Sequence, residues 1–592
     1  MGRTTARRPT GSTSEARPPT GGSATHPDRR LRHQGGVRQD GPVPDDAPTP
    51  DPTSSTAGGQ DVVLGVDLGT TATKVAAFTR GGDAVAEAEV EYALDEPEPG
   101  WAEQDPAAIL AAARDAARAV VRHARRDGHR VLGVGVSGAM HSVIGVDEHD
   151  EPLTAVVTWA DRRATPQADR IRRGPGPGVH RRTGTPVHPM SPLVKLAWFA
   201  EERPDVAARA AHWVGVKELL LHDWSGEWVV DHSMASGNGL LDLEALDWDA
   251  EALELARVRA DQLPRPVPVT HRLRLRPEVA ADLALSEDVA LVVGGGDGPL
   301  ANLGVGAVRP GVASVSIGTS GALRVVVDRP GVDPAGRTFC YALTDDLWAV
   351  GGAITNGGVV LRWAGDALAP DLEVLADEMG DEPEESLTDL ASQAPAGSEG
   401  LLMLPYLLSE RAPYWTSLPR GAYVGLQRHH TRAHLLRAAL EGVCQQLALV
   451  LASLREAGHE IHEMRATGGF ARSAVWRQML ADVLGMPVSF PSGTQGSGYG
   501  AAVVAMTALG LVPSVEVAAD RVEVDHVVEP DPAASAVYAR LLPVHAGLYD
   551  ALEGAFEALR ELDDDLPRGE PGPASAEGAP VDGEPGGGLT ED

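Results

Sequence analysis

Two short turns in this sequence have the residue types that hold phosphate. Val66-Asp67-Leu68-Gly69-Thr70-Thr71-Ala72-Thr73-Lys74 lies near the start, and Val315-Ser316-Ile317-Gly318-Thr319-Ser320-Gly321 lies past the middle. Each is preceded and followed by an apolar run, which predicts a strand, a Gly-Thr turn and a returning strand. Glycine lets the backbone approach an anion closely, and successive N–H groups flanked by hydroxyls form a nest for phosphate oxygens. Gly69, Thr70, Thr71, Gly318, Thr319 and Ser320 are therefore candidate phosphate ligands. Asp67, at the end of the first strand, could hold Mg2+ against those phosphates. Lys74 is near enough in sequence to add positive charge, and a solvated surface position would suit it equally.

Two further stretches complete the chemistry. Asp297 follows the apolar run Val289 to Val293 and the triplet Gly294-Gly295-Gly296, so no side chain crowds its carboxylate. Phosphorylating an alcohol needs a base that takes the hydroxyl proton and aims the oxygen for in-line attack, and Asp297 can serve. Gly468-Gly469-Phe470-Ala471-Arg472-Ser473 follows a short apolar run and precedes a helical one. Paired glycines at a helix start let a flat ring lie on bare backbone, which suits adenosine beside the helix N-terminus.

The elements that position these residues follow from the repeat. Two copies of one hairpin at domain-sized separation imply duplicated α/β halves facing each other across a nucleotide. That is an α/β fold of two actin-like ATPase (ribonuclease H-like) domains with a nucleotide cleft between them. The expected division is a tail at 1–60, a first domain at 61–288, a second at 289–560 and an acidic tail at 561–592. The tails are rich in Pro, Gly and polar residues and lack the apolar surface that offsets chain entropy. In the first domain, strands are expected at Val62–Val66, Val75–Phe78, Ala84–Tyr92 and Val131–Val136, with a helix over Pro106–Arg126 favoured by its leading Pro and its alanines. In the second, long helices are expected at Arg432–Ala457 and Val475–Leu484, and residues 365–400 read as an acidic helical excursion.

Bulk composition narrows the partners. The formal net charge of −33 repels nucleic-acid phosphates. Cys340 and Cys444 are too few for a disulfide framework or a zinc site, so a reducing cytoplasm is expected. No apolar stretch reads as a bilayer span. Lysine is rare: Lys74, Lys195 and Lys217 stand alone among 51 basic residues. Arginine cannot replace a compact ammonium beside a phosphate or sugar, so these three are marked for attention.

Over roughly residues 61 to 550 the chain resembles the FGGY family of carbohydrate kinases. The stretch from Met190-Ser191-Pro192-Leu193-Val194-Lys195 to Glu202 meets one long family signature, and Gly421-Ala422-Tyr423-Val424-Gly425-Leu426 through Glu441 meets the other. The resemblance implies that Asp297 is the catalytic base, that Met140-His141 touches the sugar, and that the Gly-Thr turns and Gly468-Gly469 bind nucleotide. Ala139-Met140-His141-Ser142, Thr158-Trp159-Ala160-Asp161-Arg162-Arg163 and Asn356-Gly357-Gly358-Val359 are most similar to members that phosphorylate gluconate. The implied reaction is ATP- and Mg2+-dependent conversion of D-gluconate to 6-phospho-D-gluconate, feeding the pentose phosphate pathway. Asn356 and Ser473 join the nucleotide set by the same match.

Gluconate is an open-chain polyol with a carboxylate, so its pocket should supply cations as well as hydroxyl partners. Arg163, Lys195 and Lys217 are the expected cations, Trp159 and Met140 the apolar walls, and His141 and Asp161 the polar contacts. The expected partners are a small sugar acid and ATP, with a homodimer as the candidate assembly. Rival readings are a family kinase for a ketopentose or polyol, a non-metabolic actin-like ATPase, and a catalytically silent sugar sensor. The last two lack support from the signatures or from the paired carboxylates Asp67 and Asp297.

Overall fold

The structure, a computed structural model, describes residues 59–372, 383–492 and 496–562. Both expected tails lie outside the described residues apart from their inner ends, Gly59–Gln60 and Glu561–Leu562.

Two sheets carry the fold. The first is built from β1 (Asp61–Leu68), β2 (Ala72–Thr79), β3 (Ala84–Glu91), β4 (Arg130–Gly138), β5 (Arg272–Arg274) and β6 (Ala290–Gly296), in the order β5-β6-β4-β1-β2-β3. The second contains β7 (Val312–Ile317), β8 (Gly321–Val327), β9 (Phe339–Ala342), β10 (Trp348–Ile354), β11 (Glu463–Thr467), β12 (Val488–Pro491) and β13 (Val524–Val528), in the order β9-β10-β8-β7-β11-β12-β13. Set side by side, β3-β2-β1-β4-β6 and β10-β8-β7-β11-β12 are the same pattern. A central antiparallel hairpin has an antiparallel neighbour on one side and two parallel strands on the other. The duplication expected from the two Gly-Thr turns is thus present in the strand order.

Helices cover the sheets where apolar residues recur at helical spacing. α1 (Pro106–Arg126) starts at Asp105, whose side chain accepts from Ala107 N at 2.9 Å, and buries Ile109, Ala113, Ala116, Val120 and Ala124. α2 (Asp297–Gly304) follows β6 directly. α3 (Gly358–Leu368), α4 (Arg432–Glu456), α5 (Ala474–Leu484), α6 (Gly496–Ala508) and α7 (Pro532–Leu562) belong to the later chain. α4 is long and apolar enough to cross a membrane by composition, but most of it is buried inside the fold against β8 and β10. The acidic excursion forms α3, then a helix over Pro383–Ser392, with 373–382 outside the described residues.

One boundary moves. Residues 289–296 were expected to open the second domain, yet β6 pairs in parallel with β4, Ala290 opposite Gly133, and so belongs to the first sheet. A short apolar run signals a buried strand without signalling which sheet it joins. The change of sheet falls between Gly304 and Val312. α6 also crosses back to pack on β1 and β4. The approach is close: a Cβ on Gly65 would stand 2.0 Å from Gly498 O, and one on Gly135 2.2 Å from Ala501 O. This crossing carries Ser497 to Asp67.

Candidate active site

A cavity of about 270 Å3 opens where the C-terminal ends of β4 and β6 meet β8 and β10. Asp297 is the first residue of α2, directly after the three glycines of β6. Its Oδ1 accepts from Gly298 N at 2.7 Å and Met140 N at 3.4 Å. Burial pushes the carboxyl up to about 6, the charge of Asp67 adds to this, and Arg324 opposes it. A base with that value is ionised at neutral pH and still able to take a proton.

The other walls come from the first half. His141 sits at φ +70° with Nδ1 2.8 Å from Gly237 O, and burial lowers its pKa to about 3. It is therefore neutral, donates from Nδ1 to the carbonyl, and keeps Nε2 as an acceptor for a substrate hydroxyl. Trp159 Nε1 donates to Thr70 Oγ1 at 2.9 Å, which ties a cavity wall to the first Gly-Thr turn. Met140 and Thr70 complete this side.

A second cavity, about 300 Å3, lies on the other side of the second Gly-Thr turn. Gly318 and Thr319 line it with Leu361 and Arg362 of α3 and the loop Gly469, Phe470, Arg472 and Ser473. Gly468, at φ +114°, lets that loop cross β7, because a Cβ there would stand 2.3 Å from Ile317 O. Ser473 caps α5 by accepting from Trp476 N at 3.2 Å. Ser320 and Gly321, in the same turn as Gly318, line the first cavity instead. One turn therefore has a face in each cavity.

Asp67, next to the end of β1, is near enough for its charge to act on Asp297. Its Oδ2 accepts from Ser497 Oγ at 2.7 Å, and its Oδ1 is buried with no partner among the described residues. An orphaned carboxylate oxygen beside a phosphate turn suits a hard cation.

Several residues expected in the pocket are placed elsewhere. Arg163 gives its guanidinium to Asp161 (2.9 and 2.7 Å) and Glu103 (2.6 Å) and lies 3.6 Å over the Trp101 ring, and Asp161 also accepts from Ala102 N at 2.8 Å. Lys217 is buried against Asp231 and Val293 O. Lys195 Nζ donates to the carbonyls of His141 (2.8 Å) and Thr158 (2.5 Å), bracing the two loops that carry His141 and Trp159. Burial brings its ammonium down to about 7. Asn356 is spent on Glu410 and Leu408, holding the loop before α3. Lys74 is 64% exposed and pairs with Glu89 at 3.1 Å across β2 and β3.

The cations that do face the acceptor cavity are Arg324 and Arg411. The sequence does not single out either of them, nor Tyr341. The available signal for Arg324 was one charge inside the apolar strand β8; in a chain this rich in arginine it does not stand out.

A base facing an acceptor cavity, a nucleotide-sized pocket beyond, and a phosphate turn shared by the two define a phosphotransferase with an alcohol acceptor. Residues 62–304 match the N-terminal domain of the FGGY family of carbohydrate kinases, and residues 313–509 match its C-terminal domain. The chain is 40% identical over 503 residues to gluconokinase from Bacillus subtilis (strain 168), covering 84% of this chain and 98% of that one. Among solved structures, a gluconate kinase from Lactobacillus acidophilus superposes with a TM-score of 0.79 at 33% identity, over 84% of this chain and 99% of the other. A ligand-bound xylulose kinase from the same organism gives the same TM-score and identity, over 84% and 100%. The chain belongs to the FGGY family of carbohydrate kinases. It is a kinase that takes a sugar substrate with ATP as co-substrate.

Proposed function

We propose that the protein phosphorylates D-gluconate at its terminal hydroxyl, giving 6-phospho-D-gluconate and ADP. The observation that carries the reading is the shared turn: Gly318 and Thr319 face the nucleotide pocket while Ser320 and Gly321 face the cavity that holds Asp297. A terminal phosphate held at that turn lies within reach of an alcohol beside the base. Asp297 takes the hydroxyl proton, the alkoxide-like oxygen attacks the γ-phosphorus, the bond to the β-phosphate oxygen breaks, and ADP departs. Asp67 and Ser497 would hold Mg2+, which when bound neutralises charge on the phosphates. Identity to gluconokinase favours gluconate as acceptor.

The equal superposition on a xylulose kinase supports a second reading, a ketopentose acceptor. An ADP-release assay across gluconate, xylulose, ribulose and glycerol separates them. Gluconate should give the highest kcat/KM; a higher value for xylulose would overturn the gluconate reading and leave the kinase intact.

A further inference from the structure

The acceptor cavity is lined by more guanidinium groups than carboxylates. β8 reads Gly321-Ala322-Leu323-Arg324-Val325-Val326-Val327, one cation in an apolar strand. Taking a guanidinium out of bulk water is costly unless an anion or acceptors meet it. Arg324 has room made for it: on the opposite strand, a Cβ at Gly351 would stand 2.9 Å from its Cα and 3.1 Å from its Cγ. Its head reaches the Asp297 loop, with Nη2 3.4 Å from where a Cβ on Gly298 would be. Yet among the described residues it makes no hydrogen bond or ion pair, Asp297 included.

Two further donors face the same corner. Arg411 gives Nη2 to Ile354 O at 2.7 Å, and its Nε is without a partner among the described residues. Tyr341 Oη is buried and likewise unpartnered. Among the described residues Asp297 is the single acidic residue lining the cavity, with the buried Glu410 beside Arg411, so at the cavity surface two guanidinium groups and a phenol meet one carboxylate. A neutral polyol or ketose leaves that excess unanswered, whereas a carboxylate meets it with charge-assisted hydrogen bonds.

We infer that Arg324, with Arg411 and Tyr341, forms the subsite for the carboxylate of a sugar acid, and that Arg324 is the residue that selects an aldonate over a neutral sugar. This rests on the gluconate reading and replaces Arg163, Lys195 and Lys217 as its cations. The test measures kcat and KM for D-gluconate and for sorbitol with the wild type, Arg324→Gln, Arg324→Lys and Tyr341→Phe. Each variant is first checked for native melting. Losing a hydrogen bond to a charged group should cut the gluconate-to-sorbitol ratio of kcat/KM about 10- to 150-fold in Arg324→Gln, through KM for gluconate. Arg324→Lys should fall between it and the wild type. An unchanged ratio, with both substrates losing equally, would overturn the inference and place Arg324 in phosphoryl transfer. A wild type that prefers sorbitol would instead overturn the gluconate reading, and the carboxylate subsite with it. Should Arg324→Gln melt early, calorimetric binding of gluconate to Arg324→Lys and Tyr341→Phe decides the point: wild-type affinity in both sinks the subsite.

Discussion

The two Gly-Thr turns are copies in sequence and in strand order, but their surroundings differ. The first is held from behind: Tyr92 Oη donates to Gly69 O at 2.7 Å, Gln104 Nε2 to Thr70 O at 2.5 Å, and Trp159 Nε1 to Thr70 Oγ1. It faces the acceptor cavity. The second is docked on the start of α3, with Gly358 N donating to Gly318 O at 2.6 Å and Gly357 N to Thr319 O at 3.1 Å. Nothing lies within 4 Å of a Cβ built on Gly318, so its front is open to the second cavity. Duplication supplied the same backbone device twice, and the neighbours of each copy set which cavity it faces: Thr70 of the first lines the cavity of Asp297 alone, whereas the second lines both cavities.

The sharpest way to break this comparison is at the base, which sits between the turns and belongs to neither. Asp297→Asn removes the proton acceptor while keeping the size and the hydrogen bonds from Gly298 and Met140. Turnover should fall about 10²- to 10⁴-fold, with binding of ATP and gluconate largely retained. Near-normal turnover would mean that another group takes the proton.

Gly358 tests the second turn alone. A Cβ there would stand 2.8 Å from Gly318 O, a backbone atom that can yield only by moving the turn. Gly358→Val should raise KM for ATP by about 5- to 150-fold, the equivalent of the 1–3 kcal/mol typical of overpacking. KM for the sugar should change much less if the turns are divided as described. An unchanged KM for ATP with a raised KM for the sugar would show that Gly318 and Thr319 do not hold the nucleotide.

Acid pH probes the acceptor side without mutation. With Asp297 at about 6 and the free side chain at 3.8, the folded protein holds this proton more tightly than the unfolded chain. Its contribution to stability therefore falls as pH rises from about 4 to 6. Activity runs the other way, because only the ionised form is a base: kcat/KM should fall about tenfold per pH unit below 6. A profile flat down to pH 5 would show that the carboxyl is not raised in the working enzyme.

Much of this arrangement was legible in the chain and some was hidden for definable reasons. α1 was readable to its ends because a proline starts it and alanines sustain it. The places of Asp297 and of the turns, each at the end of a strand, were readable because glycine clusters after an apolar run mark strand-end loops. The cations were not. A lysine kept among arginines marks a site where a compact ammonium is needed, but carbonyls can create that need as well as a sugar can. Lys195 meets three carbonyls, and Lys217 meets a carbonyl and Asp231. Asp161 and Arg163 suggested a pocket, and instead Arg163 pairs with Asp161 and Glu103 beneath Trp101.

Lys74 gives the smallest expected effect and the finest test of how the two turns differ. Its position after the first turn suggested a phosphate contact, and β1 pairing sets it opposite Asp67. Yet its side chain runs outward to Glu89, mostly in water. An exposed pair of this kind contributes about 0–1 kcal/mol, and salt screens it further. Lys74→Ala should therefore lower stability by no more than about that amount, and less at high ionic strength. If phosphate charge is met elsewhere, KM for ATP and kcat should stay within about twofold of the wild type, a difference under 0.5 kcal/mol. A tenfold loss in kcat/KM for ATP would mean that the lysine swings from Glu89 to the phosphates once nucleotide binds. The first turn would then grip the same substrate as the second, and the division between them would be one of degree.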